Sequence, residues 1–226
     1  RLKFVGAGQN DCEASRPAVL EAESGNRLII FAYAAASSGT PASWTAGSDT
    51  PGVNFLADVN ASSAGRIAET ITAQVNPGDL VMVSIHWGEN WGYDIPNEQQ
   101  AFAHTLIEHG GVDLVFGHSS HHAKAVEVHK GRPIFYGCGD LINDYEGIGG
   151  NEPFRPDLVL GYFVEIDDDE KCLARLEMAP FRLEKFRPNQ AAEDEARWLE
   201  HRLDRECRKF GHRIVLQENR ALRLVP

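Results

Sequence analysis

The chain has 226 residues, enough for one large domain or one and a half small ones with a sizeable core. Its composition, 42% apolar and 24% charged, is that of a folded globular protein, and a net charge of −11 argues against a duplex nucleic-acid partner, which needs a basic face. An anionic substrate stays open, because bound metal ions would dominate the local field.

Residues 2–8 (Leu-Lys-Phe-Val-Gly-Ala-Gly) read as the end of a strand running into a glycine turn, so the chain is expected to start mid-domain. Residues 27–34 form a second strand by their apolar and aromatic content. Residues 35–57, rich in Ala, Ser, Gly, Thr and Pro, read as a long loop of the kind that lines a site. Asn60 caps a helix over about 61–75, with Ile67, Ile71 and Val75 on one face, and Asn76-Pro77-Gly78 stops it. The strand 80–85 then delivers His86. Asn97 with Gln100 resembles a capping box for a helix carrying Phe102, Leu106 and Ile107 and ending at Gly110-Gly111. A strand over 112–116 delivers His118. Helix, strand, helix, strand over 60–118 is the pattern of a parallel βαβ layer.

The remainder, 123–226, reads as antiparallel-rich. Residues 125–129 and 133–136 form one hairpin; residues 158–166 and 172–178, joined by the acidic turn at 167–169, form a second. A charged helix is expected near 189–210, with Ala192, Ala196, Leu199 and Leu203 inward, and two short strands finish the chain. The organisation is thus an α/β half over 1–122 and an antiparallel half over 123–226. Cys12, Cys138, Cys172 and Cys207 are scattered with no Cys-x-x-Cys pair, which removes zinc-ribbon and thioredoxin-like readings and predicts four free thiols. No apolar run approaches the ~20 residues of a membrane span, and no signal peptide is visible.

The chemistry concentrates at two strand ends, where α/β proteins bind ligands. Ser84-Ile85-His86-Trp87-Gly88 closes one strand, and Gly117-His118-Ser119-Ser120-His121-His122 closes the other. Neutral imidazole is the commonest metal ligand, and a glycine beside each group lets backbone approach a ligand closely. The competing reading is a structural histidine at the first end and a polar surface loop at the second. Asp140, Asn143, Asp144 and Glu146 follow an apolar strand. They are oxygen donors for a hard cation, or they orient an imidazole, or they form an Asx-rich turn. His104, His109, His129, His201 and His212 show no partner pattern and read as surface residues. There is no Gly-x-Ser-x-Gly elbow, P-loop, complete dinucleotide fingerprint or His-Glu-x-x-His.

Taken in order, Val5-Gly6-Ala7-Gly8-Gln9-Asn10 with Glu13-Ala14 and Arg16-Pro17, then 84–88, Gly117-His118-x-x-His121, and Lys130–Tyr136 with Gly139-Asp140, resemble the CapA family of poly-γ-glutamate capsule biosynthesis proteins. That family is similar to the calcineurin-like metallophosphoesterases. The resemblance covers most of 1–150. It implies a four-layer α/β/β/α sandwich with a two-metal site, in which His86, His118 and His121 match metal-ligand histidines. Trp87, Gly88, Asp140 and Asn143 are then expected to support those ligands or touch substrate. The family's N-terminal Gly-Asp, Asn-Leu-Glu and Asn-Asn-His motifs have no counterpart, so the sandwich is expected to be N-terminally incomplete and to hold at most one divalent metal, Mn, Fe or Zn by ligand type. Ser120 stands where the family commonly has proline, and Tyr136–Asp140 departs from the usual Tyr-Ser-Leu-Gly-Asn.

The implied chemistry is metal-assisted hydrolysis of a phosphoester or an amide-linked anionic polymer, with His118 or His121 protonating the leaving group. The alternative is a non-catalytic polymer-binding or export module, with Trp44, Trp87 and Trp91 lining a groove. Relatives are often tethered outside the membrane. An unpaired strand at the N-terminal edge would favour a homo-oligomer.

Overall fold

The computed structural model describes residues 3–21, 25–143 and 148–226, arranged as two compact units. The first comprises the described residues up to Glu89 together with Asp94–His118; the second comprises Asn90–Tyr93 and Ser119–Pro226.

The first unit begins with a two-residue strand, β1 (Ala7–Gly8), and one turn of helix, α1 (Asp11–Ala14). The strand expected over 2–8 is therefore much shorter: residues 3–5 have no regular structure, and Leu2 lies outside the described residues. The reason is local, since Gly6 turns the chain at φ +84° and leaves only two residues to pair. Strands β2 (Ala18–Glu21) and β3 (Arg27–Ala35) pair antiparallel. The stretch expected to be one long loop carries two 3₁₀ turns, at 36–38 and 42–44, and the short strands β4 (Gly52–Val53) and β5 (Phe55–Leu56), which pair with β1 and β3.

Helix α2 (Ala61–Thr72) starts where the sequence says it should. Asn60 Oδ1 accepts the Ser63 N–H at 3.0 Å and Ser63 Oγ accepts the Asn60 N–H at 3.2 Å, a reciprocal cap. Strand β6 (Leu80–His86) lies parallel to β3, and β7 (Leu114–His118) lies parallel to β6, with α3 (Asn97–Gly110) as the crossover. Asn97 proves to be the first helical residue rather than the cap; Pro96 precedes it and supplies no side-chain bond. Proline suits that position because its fixed φ of −57° leads into the helix without a donor to waste. Gly111 closes α3 in the left-handed region. Gly110 packs so closely on α2 that a Cβ there would sit 3.2 Å from Ala68 Cα. The last strand starts two residues later than expected, because Asp113 turns inward and its carboxylate accepts the Val81 N–H at 2.9 Å.

In the second unit, β8 (Val126–His129) and β9 (Arg132–Phe135) form the first expected hairpin. The main sheet runs β10 (Leu158–Ile166), β11 (Leu173–Glu184), then β14 (Leu222–Val225) and β13 (Arg213–Leu216), all antiparallel. The helix expected from Asn189 begins later. Residues 187–190 form β12 (Arg187–Gln190) on the edge of β11, and α4 (Glu193–Cys207) follows. The start is fixed by Glu195, whose carboxylate accepts the Ala192 N–H at 2.9 Å. Ala196, Leu199 and Leu203 face inward as the periodicity predicts, whereas Ala192 is exposed.

All four cysteines are free thiols. Among the described residues no helix is long and apolar enough to cross a membrane.

Candidate functional site

Parallel pairing of β6 with β7 sets His86 directly opposite His118 at the strand ends. Along β6 the odd positions Val81, Val83 and Ile85 are buried and the even ones face the other way, so Ser84 and His86 share the half-buried face. On β7 that face carries Phe116 and His118. Three contacts follow. His86 Nδ1 and His118 Nδ1 are 3.1 Å apart, the rings tilted at 42°, and Ser84 Oγ lies 3.2 Å from His118 Nε2. Phe116 packs on the His118 ring at 5.6 Å. Burial, and after it the neighbouring His86, pushes the His118 pKa down to about 4, so the ring is neutral at pH 7.

The donor set of this arrangement fits a metal. Two nitrogens bound to one ion at ~2.0–2.1 Å lie ~2.8–3.4 Å apart for cis octahedral to tetrahedral angles, which brackets the observed separation. Metal-binding imidazoles must be deprotonated, as His118 is. A ligating histidine also commonly anchors its second nitrogen, which Ser84 does here.

Trp87 and Gly88 continue the chain from His86. The Trp87 indole is 2% exposed and packs edge-on against Phe102 at 5.9 Å, so it fills the core and cannot line a polymer groove or touch substrate. What it gives the site is its backbone N–H, donated to the His118 carbonyl at 2.9 Å. Gly88 has φ +73° and donates its N–H to Ser37 Oγ at 3.1 Å. A side chain there would be strained.

His121 lies in the second unit. Its Nδ1 is 2.9 Å from Asp140 Oδ2, and Asn143 Nδ2 donates to the same oxygen at 3.1 Å. The carboxylate therefore fixes the tautomer with hydrogen on Nδ1 and the lone pair on Nε2. Of the alternatives for the 140–146 loop, Asp140 and Asn143 take the orienting one; Asp144 and Glu146 lie outside the described residues. The His121 N–H donates to the Asn90 carbonyl at 3.1 Å, and the Trp91 ring stands 5.4 Å from the imidazole.

His122 is 2% exposed and enclosed by Trp91, Tyr93 and Phe154, with ring centroids 4.6–6.1 Å away. Burial pushes its pKa down to about 4, further aided by Lys124 and Arg202. Its imidazole is an internal group rather than a site residue.

Sequence reasoning missed Ser84, Ser119 and Asn90. Ser84 was legible, two residues before His86 and hence on the same strand face. Ser119 was not: it holds φ 128°, a conformation L residues rarely adopt, and its Oγ donates to Asn90 Oδ1 at 3.3 Å. Such backbone strain clusters at functional turns. Of the five histidines read as surface residues, His109 and His201 are exposed, whereas His104, His129 and His212 are half-buried, and His212 accepts the Val128 N–H at 3.3 Å.

Residues 1–145 match the family described as bacterial capsule synthesis protein PGA_cap, which has a metallophosphoesterase-like fold. A probable polyglutamine synthesis accessory protein of Mycobacterium tuberculosis is 42% identical over 226 residues, covering 100% of this chain and 59% of the relative. The PGA biosynthesis protein CapA of Bacillus subtilis is 27% identical over 143 residues, 63% of this chain and 35% of the relative. The capsule biosynthesis protein CapA of Bacillus anthracis is 35% identical over 66 residues, 29% of this chain and 16% of the relative.

Proposed function

The chain belongs to the bacterial capsule synthesis protein family, and on that premise we propose that it serves the synthesis or processing of an anionic glutamate polymer, with His86 and His118 as metal ligands and His121 as a proton-transfer group. One relative is named for polyglutamine synthesis and two for PGA or capsule biosynthesis, which supports polymer synthesis; the CapA resemblance supports glutamate as its unit. The donor chemistry of the histidines supports the metal.

The observation that carries the reading is the pair of imidazole nitrogens 3.1 Å apart at adjacent strand ends, one ring held neutral by burial and anchored by Ser84. A bound Mn, Fe or Zn ion would supply Lewis acidity at a scissile amide or phosphoester. The chain's own residues do the rest. Ser84 anchors His118 Nε2 and so holds the ring in place, and the Trp87 N–H pins the backbone behind it. Asp140 directs the His121 lone pair to Nε2, where the ring takes a proton from water or returns it to a leaving group. The family pattern also assigns His121 to the metal, and a carboxylate on Nδ1 suits that role equally.

The test is elemental analysis of chain purified without chelator or affinity-tag nickel, beside a His86→Ala/His118→Ala double variant. Stoichiometric metal in the parent and none in the variant supports the reading. A metal-free parent that takes up no Mn, Fe or Zn on dialysis overturns it and leaves a non-catalytic polymer-handling role for the same scaffold.

A further inference from the structure

Within the second unit, His121 stands at one end of a continuous strip of rings and guanidinium groups. Trp91 lies 5.4 Å from the imidazole and meets Phe154 at 5.6 Å, and Phe154 meets Tyr93 at 5.4 Å. Helix α4 carries the strip on. Arg202 Cζ lies over the Tyr93 ring at 4.7 Å, and over the Trp198 ring, one turn earlier in the helix, at 5.4 Å. Arg155 Cζ lies over the same indole at 5.9 Å. Every one of these side chains is half-buried, so the strip keeps surface open to solvent.

The cations along it differ in what they have left to offer. Arg155 is committed to Asp157 at 2.8 Å and Glu195 at 3.3 Å, and Arg182 also takes Glu195. Glu206, one turn beyond Arg202, is taken by Arg205 and Lys209. Arg202 has no hydrogen bond and no ion pair among the described residues, although the chain carries 33 acidic residues against 22 basic ones. Its contacts are through the face of the guanidinium, which leaves the in-plane N–H donors unspent. A guanidinium fork held by aromatic rings is pre-organised for a carboxylate, which it binds through two parallel hydrogen bonds. The rings beside it offer apolar surface rather than further charge. A ligand that uses both therefore alternates carboxylates with apolar spacers.

We propose that this strip binds a carboxylate-bearing chain, with one carboxylate on the Arg202 guanidinium and the apolar spacers lying along Tyr93, Phe154 and Trp91 toward His121. The assignment of that chain as glutamyl rests on the proposed function.

Calorimetric titration of the whole chain with hexa-γ-glutamate, with the same oligomer amidated at its carboxylates, and with a short oligoacrylate tests this. The parent is expected to bind hexa-γ-glutamate and not the amidated form. Arg202→Gln should weaken binding about tenfold, the loss of a charge-assisted hydrogen-bond pair. Arg202→Lys, which keeps the charge without the fork, should recover only part of it. Arg66→Gln removes the same charge from the exposed face of α2 and should leave binding unchanged. Oligoacrylate bound through Arg202, with no binding of hexa-γ-glutamate, would keep the carboxylate strip and overturn the glutamyl reading. Failure of both carboxylate chains to bind the parent, or binding indifferent to Arg202→Gln in a chain with the parental urea midpoint, would overturn the strip. Metal uptake measured on the same samples separates the two: Arg202-dependent binding by a chain that takes up no metal keeps the strip and overturns the metal reading.

Discussion

Ser84→Ala is the sharpest test of the histidine pair, because it changes neither ligand. Ser84 Oγ is the 3.2 Å partner of His118 Nε2, so its loss frees the ring to rotate away from the position that sets Nδ1 opposite His86. Removing such an outer partner typically costs 10–100-fold in metal affinity, or about 1.4–2.8 kcal/mol. Stability should fall far less, by about 0.5–1.5 kcal/mol for one half-buried hydrogen bond. The assay is chelator competition with Mn or Zn on metal-stripped chain, with urea denaturation in parallel. His118→Ala should abolish binding outright. A Ser84→Ala chain that is folded and binds metal with parental affinity would refute the argument that His118 Nδ1 is a ligand oriented through Nε2.

Asp140→Asn should let His121 populate both tautomers, since an amide can donate as well as accept; long-range ¹⁵N–¹H spectra of the ring read this directly, and any metal-dependent turnover should drop at least tenfold. Gly110→Val should destabilise by about 1–3 kcal/mol in urea titration, because the new side chain meets Ala68 at 3.2 Å with helix backbone on both sides. Acid should destabilise the chain through His122. Its pKa is about 4 when folded and 6.5 when unfolded, so the unfolded state binds more protons between those values and stability falls as pH drops from 6.5 towards 4, by roughly 3 kcal/mol in all. His118 acts in the same direction. His122→Phe, which keeps the stack on Phe154, should flatten the urea midpoint between pH 7 and pH 5, and an unchanged pH slope would count against this account.

Much of this molecule is legible in the chain because its signals are local. Asn60 announces α2 by reciprocal capping, and the alternation of Val81, Val83 and Ile85 announces β6, with His86 at its end. What was lost was decided by partners distant in sequence. Residues 187–190 are strand because β11 extends to Glu184 and offers an edge, which no helical periodicity from Asn189 reveals. Asp113 reads as part of a strand until Val81, 32 residues away, claims its carboxylate. Trp87 looks like a surface aromatic beside a histidine, and only Phe102 on the crossover helix shows that it is core.

The same contrast separates the two roles a histidine plays here. His118, half-buried at the end of β7, and His122, buried four residues on, both have pKa values depressed to about 4, yet their surroundings differ in kind. His118 has polar partners on both nitrogens, Ser84 on one and a second imidazole on the other, an arrangement that serves an ion. His122 has a backbone carbonyl on Nδ1, no partner on Nε2 among the described residues and aromatic rings on its faces, an arrangement that serves packing. A depressed pKa reports burial and nearby positive charge and does not by itself mark a ligand; the polar partner on the second nitrogen separates the two roles. By that criterion His121, with Asp140 on Nδ1, belongs with His118 rather than with its neighbour. Zinc or manganese titration should therefore perturb the ring resonances of His86 and His118, and His121→Ala should alter metal-dependent chemistry where His122→Phe does not.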